Sequence, residues 1–144
     1  MTENHVDPSR ANFDGFKALD RDQPIDMLNL VRFRDTAAYP GDHPLAAERL
    51  TGAEAYANYG SESGPVFARV GGTVLWSGEP QAMVIGPEAE IWHTAFVAHY
   101  PNAHAFLEMV ADPDYQKAVI HRQAAVETSR LIRHKPRDAG EGFG

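Results

Sequence analysis

Two runs of this chain, Ile25 to Phe33 and Ile91 to Tyr100, are apolar at odd and even positions alike. Side chains of a strand point alternately to opposite sheet faces, so strands of this kind need cover on both faces. The intervening segments read as helices and turns. Thr51 followed by Glu54 has the form of a capping box, and Tyr56, Tyr59, Val66, Phe67 and Val70 then share one helical stripe. Gly60 and Ser63 fall on that stripe, which predicts close packing or a hollow, and Gly64-Pro65 predicts a kink. Gly71-Gly72 ends the helix. Thr73 to Ser77 and Gln81 to Ile85 read as one long strand with a bulge, interrupted at Gly78-Glu79-Pro80, and Ile91 to Tyr100 is its hairpin partner. Asn102 caps a helix with Phe106, Met109 and Val110 inward. Asp112 caps a second one from Pro113, with Tyr115, Ala118, Val119 and Val126 inward. Ser129 to His134 is the last strand.

The order is βαββαβ, an α+β ferredoxin-like arrangement in which helices cover one face of a four-stranded antiparallel sheet. The other face has no third layer of its own. The simplest cover is the same face of a second copy, which predicts a homodimer with sheets facing each other. Ahead of this unit, Phe13, Phe16 and Leu19 mark a short helix over Pro8 to Asp20, with Asp7 as its cap and Pro8 at its first position. Arg34 to Leu50 holds Pro40-Gly41 and Pro44 and reads as a loop. The expected division is a helical extension over 1–22, the α+β domain over 23–135 and a mobile Gly-rich tail over 136–144.

At 144 residues the chain suits one domain, which at this size buries roughly 68 to 70% of its unfolded surface. It has no cysteine, so disulfides and thiolate chemistry are excluded and a reducing cytoplasm fits. No window approaches the roughly 18 apolar residues of a membrane span. A net charge of -7, with no basic stripe, argues against nucleic acid as a partner.

Few residues name a chemistry. Asn29 is an amide inside an apolar strand and must find hydrogen-bond partners, either neighbouring backbone or a ligand. Arg122 falls on the apolar stripe of its helix beside Tyr115, Ala118 and Val126, while His121 points to the flank near Lys117. A guanidinium there needs an internal carboxylate, a snorkelling path or a bound anion. Seven histidines raise the question of a metal. His93 and His99 share a strand face but stand roughly 20 Å apart, too far for one ion, and no ligand motif supports a site. No cofactor motif is present either, neither a phosphate loop nor a nucleophile elbow.

Five signatures together, Ser63-Gly64-Pro65, Arg69-Val70-Gly71-Gly72, Phe96 to Asn102, Asp112 to Gln116, and His121-Arg122 with Ser129-Arg130-Leu131, resemble the domain-of-unknown-function family thirteen-thirty. The resemblance covers about Thr51 to His134. It implies membership of the dimeric α+β barrel superfamily, hence the same fold and dimer. Superfamily relatives that degrade haem carry an Asn, a Trp and a His in the order of Asn29, Trp92 and His104. At 100° per residue His104 lies roughly 160° from Phe106, on the polar side of its helix, which argues against a shared pocket with Asn29.

The expected function is binding of a small aromatic or acidic organic molecule between sheet and helices, as in a cofactor-free oxygenase or isomerase. Asn29, Tyr59, Ser63, Trp76, His121 and Arg122 form the expected ligand-binding set. The rival is a non-catalytic binding or assembly module in which these residues knit the core, and a remoter alternative is a haem-binding or haem-degrading protein. An open cavity lined by Asn29 and Arg122 would favour the first, a filled interior the second.

Overall fold

Ser9, not Asp7, caps the first helix, α1 (Arg10–Ala18), because its hydroxyl accepts from the Asn12 N–H at 3.1 Å. This computed structural model describes residues 3–143, so Met1, Thr2 and Gly144 of the expected extension and tail lie outside the described residues. The elements that follow are β1 (Ile25–Phe33), α2 (Gly52–Arg69), β2 (Thr73–Gly78), β3 (Thr94–Tyr100), α3 (Ala103–Ala111), α4 (Pro113–Ala125) and β4 (Val126–His134). All strand pairings are antiparallel and the order is β2-β3-β1-β4, the ferredoxin-like topology. β3 is therefore internal, between β2 and β1.

Local signals set most boundaries. Both bonds of the Thr51 and Glu54 capping box are formed, and Asn102 and Asp112 cap α3 and α4 through the N–H groups of Ala105 and Asp114. Gly71, at φ +89°, closes α2 in the left-handed region that favours glycine. Three expectations change. Among the described residues the segment 81–85 pairs with no strand, so β2 ends at Gly78, with its bulge between Val74 and Trp76. β3 begins at Thr94 rather than Ile91. Val126 belongs to β4 and not to the helix before it, since α4 runs into the strand without a loop.

Ile25, Met27 and Val31 point from β1 to the helices and are buried, as are Ala98 and Tyr100 beside them on β3. Phe106, Met109, Tyr115 and Val66 meet them from the helices. Helix α1 packs onto the same core, with the Phe16 ring 4.9 Å from that of Phe106. The Arg133 guanidinium lies 4.8 Å from the Phe16 ring and donates to the Phe16 carbonyl. Gly60, expected in the packed stripe of α2, is exposed and has open space where a side chain would sit.

The other face of the sheet is covered by this chain only in part: Ala95 on it is buried, and Leu28 and Val97 share a groove with His134 to Gly140. Leu28, Leu30, Ala95 and Val97 lie along its middle, by the alternation of β1 and β3, with Trp76 and Ile132 beside them on the outer strands. Polar pairs close both ends. Asp26 and His99 meet at 2.6 Å across β1 and β3, and Arg32 and Glu127 at 2.9 Å near the opposite end. Among the described residues no helix is long and apolar enough to cross a membrane.

Candidate functional site

Helix α4 is covered by the sheet on one side and by α2 and the 34–50 loop on the other, so it buries two adjacent positions that a single stripe cannot hold. His121 is one of them: it is 5% exposed and faces α2 and the loop, not the flank near Lys117. Its Nε2 lies 2.5 Å from a Glu62 carboxylate oxygen and its Nδ1 2.6 Å from the Tyr39 hydroxyl. A carboxylate only accepts, so Nε2 carries a proton and donates; in the neutral ring Nδ1 then accepts from the Tyr39 O–H. The result is a continuous line, Tyr39 to His121 to Glu62, drawn from the loop, α4 and α2.

The loop is held against the helices by its backbone. Ala37 N–H donates to Leu50 O and Ala38 N–H to Ala124 O, both at 2.8 Å. His43 stacks on Tyr39 with centroids 4.7 Å apart and meets His121 edge to face, with centroids 5.7 Å apart. Its Nδ1 accepts from the Leu45 N–H, which leaves the neutral ring's proton on Nε2. The Tyr39 hydroxyl is pushed above its ordinary range by burial; a hydrogen bond from the Asn58 side chain opposes this and the Glu62 charge adds to it.

The other expected site residues separate into three places. Tyr59 and Ser63 are in the helix-facing interior, where the Tyr59 and Tyr115 hydroxyls meet at 2.8 Å and Ser63 Oγ donates to Tyr59 O at 2.6 Å. That interior is filled with aromatic rings rather than hollow. Burial raises the hydroxyl pKa values of Tyr56, Tyr100 and Tyr115, with Tyr59 next as a cause; Arg122 pulls the other way at Tyr56 and Tyr115. Asn29 is tied to its own strand, its Nδ2 donating to Met27 O at 3.1 Å. Trp76 is 54% exposed on the far side of the sheet, opposite Val97. Two surface grooves, of about 510 and about 300 Å3, are lined by neither Asn29 nor Arg122.

Among the described residues no carboxylate pairs with Arg122. Its guanidinium donates to Val6 O at 2.5 Å and to Ser129 Oγ at 3.1 Å, and so fastens the N-terminal segment to β4. Arg122→Ala is expected to cost roughly 2 to 3 kcal/mol, because hydrogen bonds from a charged donor are lost and their acceptors stay half-buried. A urea titration checks this, and an unchanged midpoint would contradict it. Among the described residues no group of three or more His, Asp or Glu side chains is placed to hold a metal ion.

The sequence pointed to His121 but not to Tyr39, His43 or Glu62. Those three stand in a loop without periodicity and on the outer side of α2, and only packing brings them to one imidazole.

The profile of the family described as a domain of unknown function, DUF1330, matches residues 45–134, more than half of the chain. The chain belongs to the DUF1330 family. This DUF1330 chain is 54% identical to a protein of unknown function from Rhodopseudomonas palustris, with a TM-score of 0.87 over 95% of this chain and 100% of that one. A methylated form of that protein gives 53% identity and a TM-score of 0.89 over 97% and 100%. SnoaB, a cofactor-independent oxygenase from Streptomyces nogalater, is 14% identical with a TM-score of 0.52 over 83% and 99%, a likeness of fold alone. No protein of curated function matches this DUF1330 chain.

Proposed function

We propose that this chain works as a homodimer and binds a small phenolic or enolisable organic acid against Tyr39, on which it acts by proton transfer without a cofactor. The observation that carries the chemistry is the Tyr39, His121 and Glu62 line, with spacings of 2.6 and 2.5 Å. In the step it supports, Tyr39 takes a proton from the bound molecule while passing its own to His121 Nδ1. The imidazolium formed is held by the Glu62 carboxylate, and the reverse transfer returns the proton to a second atom of the substrate. An isomerase needs no more. An oxygenase of this kind would add dioxygen, as co-substrate, to the carbanion so formed. What supports the dimer is the partly covered sheet face, on which Trp76 and Ile132 are exposed and whose apolar middle and polar ends match the anatomy of a protein interface. An obligate pair of this kind is expected to bury above about 2,000 Å2.

A second reading, an assembly module without chemistry, draws on the filled interior between sheet and helices. Thermal-shift measurements against phenols, 2-oxo acids and aromatic carboxylates separate the two. A ligand at 100 times its dissociation constant adds about 2.7 kcal/mol of stability. Tyr39→Phe keeps the ring and is expected to lose that gain while costing the free protein only about 1 kcal/mol. Equal ligand stabilisation in Tyr39→Phe would rule out Tyr39 as the contact.

A further inference from the structure

We infer that residues 81–85 of one copy pair with the β2 edge of a second copy and become a strand only in the dimer. This rests on the homodimer proposed above and names the segment and the edge that meet. The two edges of the sheet are treated differently. Along β4 the chain's own N-terminal segment lies beside the strand: Ser129 N–H donates to His5 O at 2.7 Å, His5 N–H donates to Thr128 Oγ1 at 3.0 Å, and Arg122 holds Val6 O. Among the described residues β2 is hydrogen-bonded to β3 on one side and to no strand on the other. Val74, Leu75 and Trp76 on it are 53, 58 and 54% exposed. An open edge that is also apolar is a template for one more strand.

The same chain carries a strand-like segment with no partner. Gln81 to Ile85 ends in Met, Val and Ile, yet Val84 and Ile85 are 90 and 92% exposed. The chain turns back at Gly86, at φ +145°, and is fastened again by His93 N–H to Val31 O at 2.8 Å. Residues 79–88 thus form an exposed arm, bent at Val84 to Gly86, that pairs with no strand among the described residues. An arm that continues β2 has a simple symmetric use. With a two-fold axis beside Glu79-Pro80, β2 of each copy runs antiparallel to 81–85 of the other, and the contact closes on itself. Pro80, which has no N–H to donate, then sits at the crossing rather than within either ladder. Trp76 belongs both to this edge and to the sheet face away from the helices, opposite Val97, so the arm extends the same interface.

The chain has no cysteine, so introduced thiols report alone. Val74→Cys chains and Ile85→Cys chains, both altered at exposed positions, are mixed, allowed to exchange and treated with a short bis-maleimide. The expected product is a covalent dimer with one chain of each kind, about tenfold more abundant than that from either chain alone. Val84→Asp with Ile85→Asp is expected to raise the dimer dissociation constant about 100-fold, since two apolar side chains lose their burial. A wild-type dimer in light scattering that gives no mixed product, or whose affinity survives the double substitution, overturns the arm and leaves the dimer standing. A wild-type monomer at micromolar concentration removes both.

Discussion

Raising the pH above about 10 should unfold this chain steeply, with up to about 4 kcal/mol of stability lost per pH unit. Tyr56, Tyr100 and Tyr115 all have hydroxyl pKa values raised above the ordinary 10.0, burial being the largest cause at each. In the unfolded chain they titrate near 10. Between the unfolded and folded values the unfolded state has released three protons that the folded state keeps, so stability falls as pH rises, by about 1.4 kcal/mol per proton and pH unit. Below the unfolded value their contribution is fully present. Urea midpoints at about pH 8 and about pH 11, followed by fluorescence, should differ widely, and equal midpoints would show that these hydroxyls ionise without unfolding. Tyr115→Phe keeps the ring and should remove about a third of the slope. It also leaves Tyr59 without its partner at 2.8 Å.

Gly52→Ala should cost about 3 kcal/mol or more, by overpacking against atoms that cannot turn aside. Gly52 opens α2 where three segments meet: its N–H donates to Arg34 O at 3.1 Å, and Arg34 N–H donates to Ala125 O at 2.8 Å. A Cβ built there would lie 2.1 Å from Arg34 O, 2.8 Å from Arg34 N and 2.9 Å from Ala125 O. All three are backbone atoms, so relief requires the end of β1 or of α4 to move. For a chain of this length the expected fall in melting temperature is roughly 10 °C. Gly60→Ala on the same helix is the control with opposite sign. Nothing lies within 4 Å of its added methyl, so lower unfolded-state entropy should stabilise by roughly 0.4 to 1 kcal/mol. A melting temperature for Gly52→Ala within a degree or two of wild type would mean that the junction is looser than its geometry.

These two glycines mark where sequence stops informing. Both precede ordinary helical residues, and Gly60 even lies on the apolar stripe; only the path of Arg34 and Ala125 makes Gly52 the sensitive one. The same holds for the paired positions on α4. Arg122 and His121 are 100° apart on the helix, and a single inner face admits one of them. Because α4 is packed on two sides, Arg122 serves the N-terminal segment and His121 serves Tyr39 and Glu62.

What the sequence determined by itself is the set of local decisions: the span of β1, the caps at Thr51, Asn102 and Asp112, the helix end at Gly71-Gly72, and the βαββαβ order with β3 inside the sheet. Each depends on side chains within a few residues of one another, or on a periodicity that one element carries alone. The tertiary structure alone decided which faces are covered and which side chains meet. Tyr39, Glu62 and His121 come from three elements, and 81–85 has strand composition but no strand partner among the described residues. A hydrogen bond across such distances in sequence, or a strand that needs a neighbour, is set by the packing of whole elements, and no local pattern records it.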